Sequence, residues 1–224
     1  MDDNRIDEVL KQAGPVDAAL LARVTASMSQ SIAPVRPLAS SLTLASALFA
    51  IASLYAATVA SWIGMYGVRK MTAGAIALMF SLLAVITAVA AIHAVDEMIP
   101  GSVRRIASWQ LLTLAILAFA AVDAVLFQDY SLGNFLPNGV ACLKAGLETA
   151  APVGVGAWLV LRRGFAVNPP SAGLAAGTLA GLAGVVMLEL HCPDFRTPHI
   201  MIWHTAVIPV AALVGMGVAS LRRR

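Results

Sequence analysis

Cysteine occurs only twice in this 224-residue chain, at Cys142 and Cys192. Three of the four histidines gather around the second one, in the segment His191-Cys192-Pro193-Asp194-Phe195-Arg196-Thr197-Pro198-His199 and the Trp203-His204 pair that follows. Thiolate and imidazole together form the donor set for zinc, copper and similar soft or borderline metals. The candidate redox or sensing pair is therefore Cys142 and Cys192. The candidate ligand set for zinc or another soft divalent metal is Cys142, His191, Cys192, His199 and His204. His199 and His204 are five residues apart and do not share one face of a straight α-helix, so a metal site requires the connection to fold back. A stapling disulfide, a regulated thiol pair and two unpaired cysteines remain open beside the metal. His204 can equally serve as a hydrogen-bond donor between helices.

Acidic residues inside apolar segments are costly and each calls for a role. Glu189, one turn before Cys192, is placed to orient a histidine as an outer acceptor. Lys144 and Glu148, one turn apart, can pair beside the same region. Asp123 lies near one end of its apolar block, and His93, alone at the end of another, reads as structural. These acids do not make the chain of buried carboxylates of a proton pump. No Cys-x-x-Cys, His-Glu-x-x-His, P-loop or Gly-x-Ser-x-Gly occurs, so the expectation is a protein that is not an enzyme.

The elements that must position these groups follow from composition. Hydrophobic residues make up 59% of the chain and charged ones 12%, with a mean hydropathy of +0.83, far from soluble averages. The apolar residues come in blocks of about 20, the length that crosses a bilayer core. Six spans are expected, at roughly 38–62, 73–95, 106–127, 139–161, 171–190 and 200–220. The net charge of +3 resides mostly in basic pairs at the ends of these blocks, where they act as membrane anchors rather than as a nucleic-acid surface.

Orientation follows from the same pairs. Arg5, Lys11, Arg23, Arg36, Arg104, Arg105, Arg162, Arg163 and Arg222 to Arg224 fall on one side; Arg69, Lys70, Lys144 and Arg196 fall on the other. Eleven against four predicts cytoplasmic termini in a bacterial inner membrane, with both cysteines on the periplasmic side. That compartment permits a disulfide.

Residues 1–37 have mixed charge and lack the short apolar core of a secretory signal, so they read as a mature cytoplasmic tail. Two amphipathic helices are expected there, one presenting Ile6, Val9 and Leu10, the other capped by Asp17 and presenting Leu20, Leu21, Val24 and Met28. Such stripes suit either the lipid surface or a partner's groove. Ala33-Pro34-Val35-Arg36-Pro37 then forms a stiff link, because its prolines disfavour helix. Gly173, Gly177 and Gly181 repeat every four residues and allow a neighbouring backbone to approach. Pro152 and Pro209 are expected to kink their spans.

At Cys192-Pro193, His199 and Trp203-His204, together with Cys142-Leu143-Lys144 and Arg162-Arg163-Gly164, the sequence resembles the NrsF-like family of bacterial membrane proteins. Pro-Val-Arg-Pro-Leu before the first span is also family-like. The resemblance covers most of the six-span region and implies a negative regulator of an extracytoplasmic-function sigma factor. It also implies sensing by a periplasmic cysteine pair, which falls on Cys142 and Cys192. The tail has no Cys or His and so is unlike the zinc-binding helical domain of the commoner anti-sigma class.

The reading is an all-α membrane protein: a six-transmembrane-helix bundle over 38–224 with a short helical cytoplasmic tail, 1–37, as the sigma-factor-binding segment. Its partners are the sigma factor and the lipid bilayer, with no direct contact to nucleic acid. Periplasmic redox or heavy-metal stress would act through the Cys/His cluster. The rival reading is a small transport or metal-handling membrane protein using the same groups.

Overall fold

Long runs of Ala, Leu, Val and Ile with few charges leave the backbone no solvent but itself, and the helix satisfies every amide within one segment. In the computed structural model, which describes residues 17–31, 39–102, 106–164 and 166–221, every regular element is helical. The chain divides into two units, residues 1–37 and 38–224.

In the first unit, α1 (Ala18–Ser31) starts where Asp17 Oδ1 accepts from the Ala19 amide at 2.9 Å, the capping expected of Asp17. Leu20, Leu21, Val24 and Met28 are exposed along it. Ile6, Val9 and Leu10, with the first tail helix, lie outside the described residues, as do the 33–37 link, Arg104, Arg105 and Arg222 to Arg224.

The second unit contains α2 (Ser41–Ile63), a 3₁₀ turn (Val68–Lys70), α3 (Ala73–Asp96), α4 (Ser108–Leu126), α5 (Phe135–Leu161), α6 (Pro169–His191) and α7 (Thr197–Leu221). Ser40 and Thr72 cap α2 and α3 by accepting from Thr43 and Ala75 amides, each at 3.2 Å. Each expected span coincides with one of these six helices to within a few residues.

Five of them, α2, α3, α4, α6 and α7, are long and apolar enough to cross a membrane. The expected fourth span, 139–161, falls in α5, which at 27 residues has the length but not the apolarity. Asn138, Lys144 and Glu148 all lie in its first half, and six spans by composition become five.

Helix α6 is the axle of the bundle. Of its most apolar stretch 83% is buried, against 22% for α2 and α4, because α2, α3, α4, α5 and α7 all pack on it. Its composition explains the position: Gly173, Gly177 and Gly181 form a stripe whose missing side chains admit the α7 backbone. A Cβ at Gly181 would stand 2.7 Å from the Ile208 Cα. Gly184 abuts Gly146 of α5, so α5 is drawn equally close on another side.

Candidate functional site: a buried cysteine and histidine cluster

Close packing of α5 on α6 decides where Cys142 goes. It lies between Gly139, which leaves room for the Trp203 indole, and Gly146, which meets Val207 and Leu188. The opposite partner, Cys192, follows the last turn of α6, where its amide bonds to the Leu188 carbonyl at 2.7 Å. The connection between α2 and α3 fixes this helix end. The Gly67 amide donates to the Leu190 carbonyl at 3.1 Å, and Lys70 Nζ donates to the Pro193 carbonyl at 3.3 Å. As a result Cys142 Sγ and Cys192 Sγ lie 3.5 Å apart, both as free thiols.

The segment from 193 to 197 is tied down from the other side. Thr197 donates its amide to the Asp129 carbonyl and its hydroxyl to the Phe127 carbonyl, both at 2.7 Å, and Phe195 stacks on Phe127 at 4.9 Å. Asp194 accepts from Asn138 at 3.1 Å and from the Arg196 guanidinium, which also reaches the Gly133 carbonyl. These donors, Arg196 first, hold the Asp194 carboxyl well below the usual carboxylate range.

The start of α7 solves the problem that a five-residue spacing poses. Residues Ile200–His204 form a π-helical turn, in which the Thr205 amide reaches back to the Ile200 carbonyl. A wider turn brings positions i and i+5 to one side, and single π turns of this kind recur at functional sites. His199 and His204 therefore face the same point, with ring centroids 5.3 Å apart. The connection does not fold back to achieve this; the helix itself is locally unwound.

Four donor atoms, one each from Cys142, Cys192, His199 and His204, lie within 4.8 Å of one another. His199 Nε2 is 3.6 Å from Cys192 Sγ. Around a tetrahedral zinc with Zn–S near 2.3 Å, neighbouring sulfurs stand about 3.8 Å apart, so the observed sulfur pair needs only small adjustment to become one edge of such a site. A carboxylate lies behind each imidazole. His204 Nδ1 donates to Glu189 Oε1 at 2.6 Å, which leaves its Nε2 facing the cluster, buried and without a hydrogen-bond partner among the described residues. His199 Nδ1 stands 3.8 Å from Asp194 Oδ2. One carboxylate–imidazole hydrogen bond, from His204 to Glu189, thus fixes a ring beside the sulfurs, as metal sites do to set tautomer and basicity, while a second carboxylate stands near the other ring. The Cys192 thiol is pushed above its usual range by its hydrogen bond with Cys142 and then by burial, against the pull of His199 and His204. An incoming metal or oxidant must therefore displace a proton there.

Some expected members are placed elsewhere. His191 turns away, with Nδ1 2.7 Å from the Gly64 carbonyl and its ring beside Tyr66, because the step of about 100° per residue at the last turn of α6 aims it at the end of α2. Lys144 and Glu148 pair with each other at 3.7 Å on the outer surface of α5. Glu189 accepts from His204 at 2.6 Å. Asp194 stands near His199 although spacing gave no hint of it, because the 193–197 segment is tied back against Phe127, Asp129 and Asn138. Asp123 is fully buried on α4, and neither carboxylate oxygen has a hydrogen-bond partner among the described residues.

A second polar cluster lies at the other end of α6. His93 Nε2 is 2.9 Å from Ser108 Oγ, while Ser108 and Ser171 both donate to Glu97 Oε1, at 3.1 and 2.9 Å, and lie 2.8 Å from each other. It fastens α3, α4 and α6 together beside a cavity of about 620 Å³ lined by Glu97, Trp109, Asn168 and Ser171.

Comparison with known proteins gives one family and one relative. The family described as negative regulator of sigma F, NrsF, matches residues 28–223. A curated relative, the probable anti-sigma-F factor NrsF of Azospira oryzae, is 43% identical over 57 residues, which are 25% of this chain and 27% of that protein. The match therefore spans about a quarter of the relative's length. No solved structure matches the chain.

Proposed function

The chain belongs to the NrsF family of negative regulators of sigma F, and from that premise we propose that it is a membrane-bound anti-sigma factor that senses stress through its Cys/His cluster. Residues 1–37 hold an extracytoplasmic-function sigma factor at the inner membrane, and the exposed stripe Leu20, Leu21, Val24 and Met28 supplies the contact. Helix α5 completes six spans, both termini face the cytoplasm, and the cluster faces the periplasm. Periplasmic oxidant or heavy metal converts the thiol pair into a disulfide or a shared metal site and so changes how α5, α6 and α7 are tied. A signal passes because the tied and untied arrangements differ in free energy for the sigma-bound and sigma-free states.

The observation that carries this reading is the convergence of Cys142, Cys192, His199 and His204 from three helices within 4.8 Å. Two imidazoles beside two thiols make a receptor for a soft cation or an oxidant. Zinc or a similar metal would be held by the four donors, with Glu189 and Asp194 as outer acceptors.

Copurification of the full chain from its native membrane tests the regulator. A sigma factor should come with the wild-type chain and be lost when Leu20, Leu21 and Val24 are replaced by Asp, with constitutive transcription of its regulon. Retention by the triple variant would place the contact elsewhere. Metal-dependent flux into vesicles, with no sigma factor retained, would favour the metal-handling reading.

A further inference from the structure

The outward faces of α2, α3, α4 and α7 carry apolar side chains such as Leu54, Val85, Leu117 and Val214, as lipid requires. Helix α5 differs. Its outer face runs through Val140, Ala141, Lys144, Glu148, Ala151, Pro152, Val155 and Leu159, with the Lys144 and Glu148 side chains 74% and 67% exposed. At 1.5 Å per residue, Lys144 lies about 26 Å and Glu148 about 20 Å from Leu161 at the other helix end. In a hydrocarbon core about 30 Å thick, Lys144 can snorkel to the near interface, but Glu148 cannot. Pro152 adds a second polar demand on this turn, since it lacks the amide hydrogen that would bond to the Glu148 carbonyl.

Resting on the reading of α5 as a span, we propose that this face is the contact of a two-fold dimer, in which Lys144 of each chain pairs with Glu148 of a second copy. The charges select that occupant. Two copies inserted with the same orientation bring their α5 helices together parallel, with like residues level. Each Lys144 then needs to reach one turn, about 6 Å, to the other copy's Glu148, which its four-carbon stem allows. The exchange is self-complementary, as an isologous interface demands. It also desolvates the ion pair against protein instead of lipid.

The small residues agree with this. Ala141 and Ala151 flank the charges on the exposed face, and a Cβ built on Gly156 would meet nothing within 4 Å. Gly156 is half-buried at the edge of this face, where the missing side chain leaves room for a second helix.

The test is trans complementation with the full chain. Two differently tagged copies expressed together should copurify when both are wild type. Recovery should fall at least tenfold when both carry Lys144→Glu, or when both carry Glu148→Lys, because each pairing then faces like charges. It should return when one copy carries Lys144→Glu and the other Glu148→Lys, since opposite charges meet again across the interface. An ion pair confined to one chain would not be rescued in trans, and its absence would overturn the dimer. The mass of the wild-type chain in lipid nanodiscs guards against variants that fail to insert: two copies per disc support the proposal, and one copy overturns it. Topology reporters at Ser131 and Arg163 separate the premise from the proposal. Opposite sides with a single copy per disc overturns the dimer alone, whereas the same side overturns both the span and the dimer.

Discussion

Both ends of α6 bury a histidine, a carboxylate and smaller polar groups, yet they differ in the atoms they gather. At the Ser171 end, two serine hydroxyls, Glu97 and His93 are joined by contacts between 2.8 and 3.1 Å, so oxygens and one imidazole meet there. At the Cys192 end, Glu189 accepts from His204, and two thiols and two imidazoles bring one donor atom each to within 4.8 Å of one another. Hydroxyls on a carboxylate make a fastener between helices, whereas sulfur and imidazole nitrogen at one point are the donor set of a soft metal. That contrast of donor atoms separates two ends that are otherwise alike in burial and charge.

The contrast breaks most completely at the sulfurs. If the Cys192 end is one shared site, Cys142→Ser, Cys192→Ser and the double variant should each abolish the stress response to the same extent, read as sigma-dependent transcription after exposure to oxidant or heavy metal. Removing either partner already removes the shared state, so the effects are non-additive. Additive partial losses, or a normal response in one single variant, would mean that the thiols act separately.

The next effect falls on the imidazole pair. Replacing His204 by Leu strands the Glu189 carboxylate in the core, where losing one partner of a buried pair costs about 3–5 kcal/mol. Reversible unfolding in detergent should show a loss of this size, and Glu189→Gln, which can still accept from His204, should lose much less. Equal losses in the two variants would show that the charge is not what holds the pair.

A smaller effect concerns the Cys192 proton. Its hydrogen bond with Cys142 and its burial raise the thiol above its ordinary range, so the neutral form dominates at neutral pH and thiolate appears only as pH rises through the raised value. Alkylation of Cys192, followed by peptide mass in the folded protein, should be slower than that of a free thiol at pH 8 and should still be rising where the free thiol has levelled off. Stability that depends on the neutral thiol is present below the free-thiol range and lost above the raised one. Fast alkylation at pH 7 would show a thiolate already present.

Much of this was legible in the sequence because lipid makes strict demands. Blocks of about 20 apolar residues locate α2, α3, α4, α6 and α7, and the glycine stripe marks the face of α6 that takes α7. Cys142, Cys192, His199 and His204 stand out because soft donors are rare in such a chain. The π turn was not legible, since a spacing of five argues against a shared face until the helix is known to widen there. His191 was misjudged for a related reason: adjacency in sequence places neighbours about 100° apart on a helix, and that rotation carries it to Gly64. Lys144 and Glu148 lie near the cysteines along the chain but on the opposite face of α5, a distinction that needs to know which face meets α6. His93 looked solitary because Ser108 and Ser171, 15 and 78 residues further on, carry no signal of their own.

The Ser171 end supplies the smallest effect and the sharpest control. Ser171 at the start of α6 donates to Glu97 and touches Ser108, but Ser108 also donates to the same Glu97 oxygen, so no carboxylate is stranded when Ser171 loses its hydroxyl. Ser171→Ala should therefore lower unfolding stability by about 1 kcal/mol, the net value of an ordinary hydrogen bond. It should leave the alkylation rate of Cys192 and the pairing of the two cysteines unchanged, because more than 20 residues of α6 separate the ends. Ser108→Ala removes a group that touches His93, Glu97 and Ser171 together and should cost more than its neighbour does. If Ser171→Ala instead altered the thiol chemistry at the far end, α6 would be transmitting position along its length, and the fastener would be part of the switch.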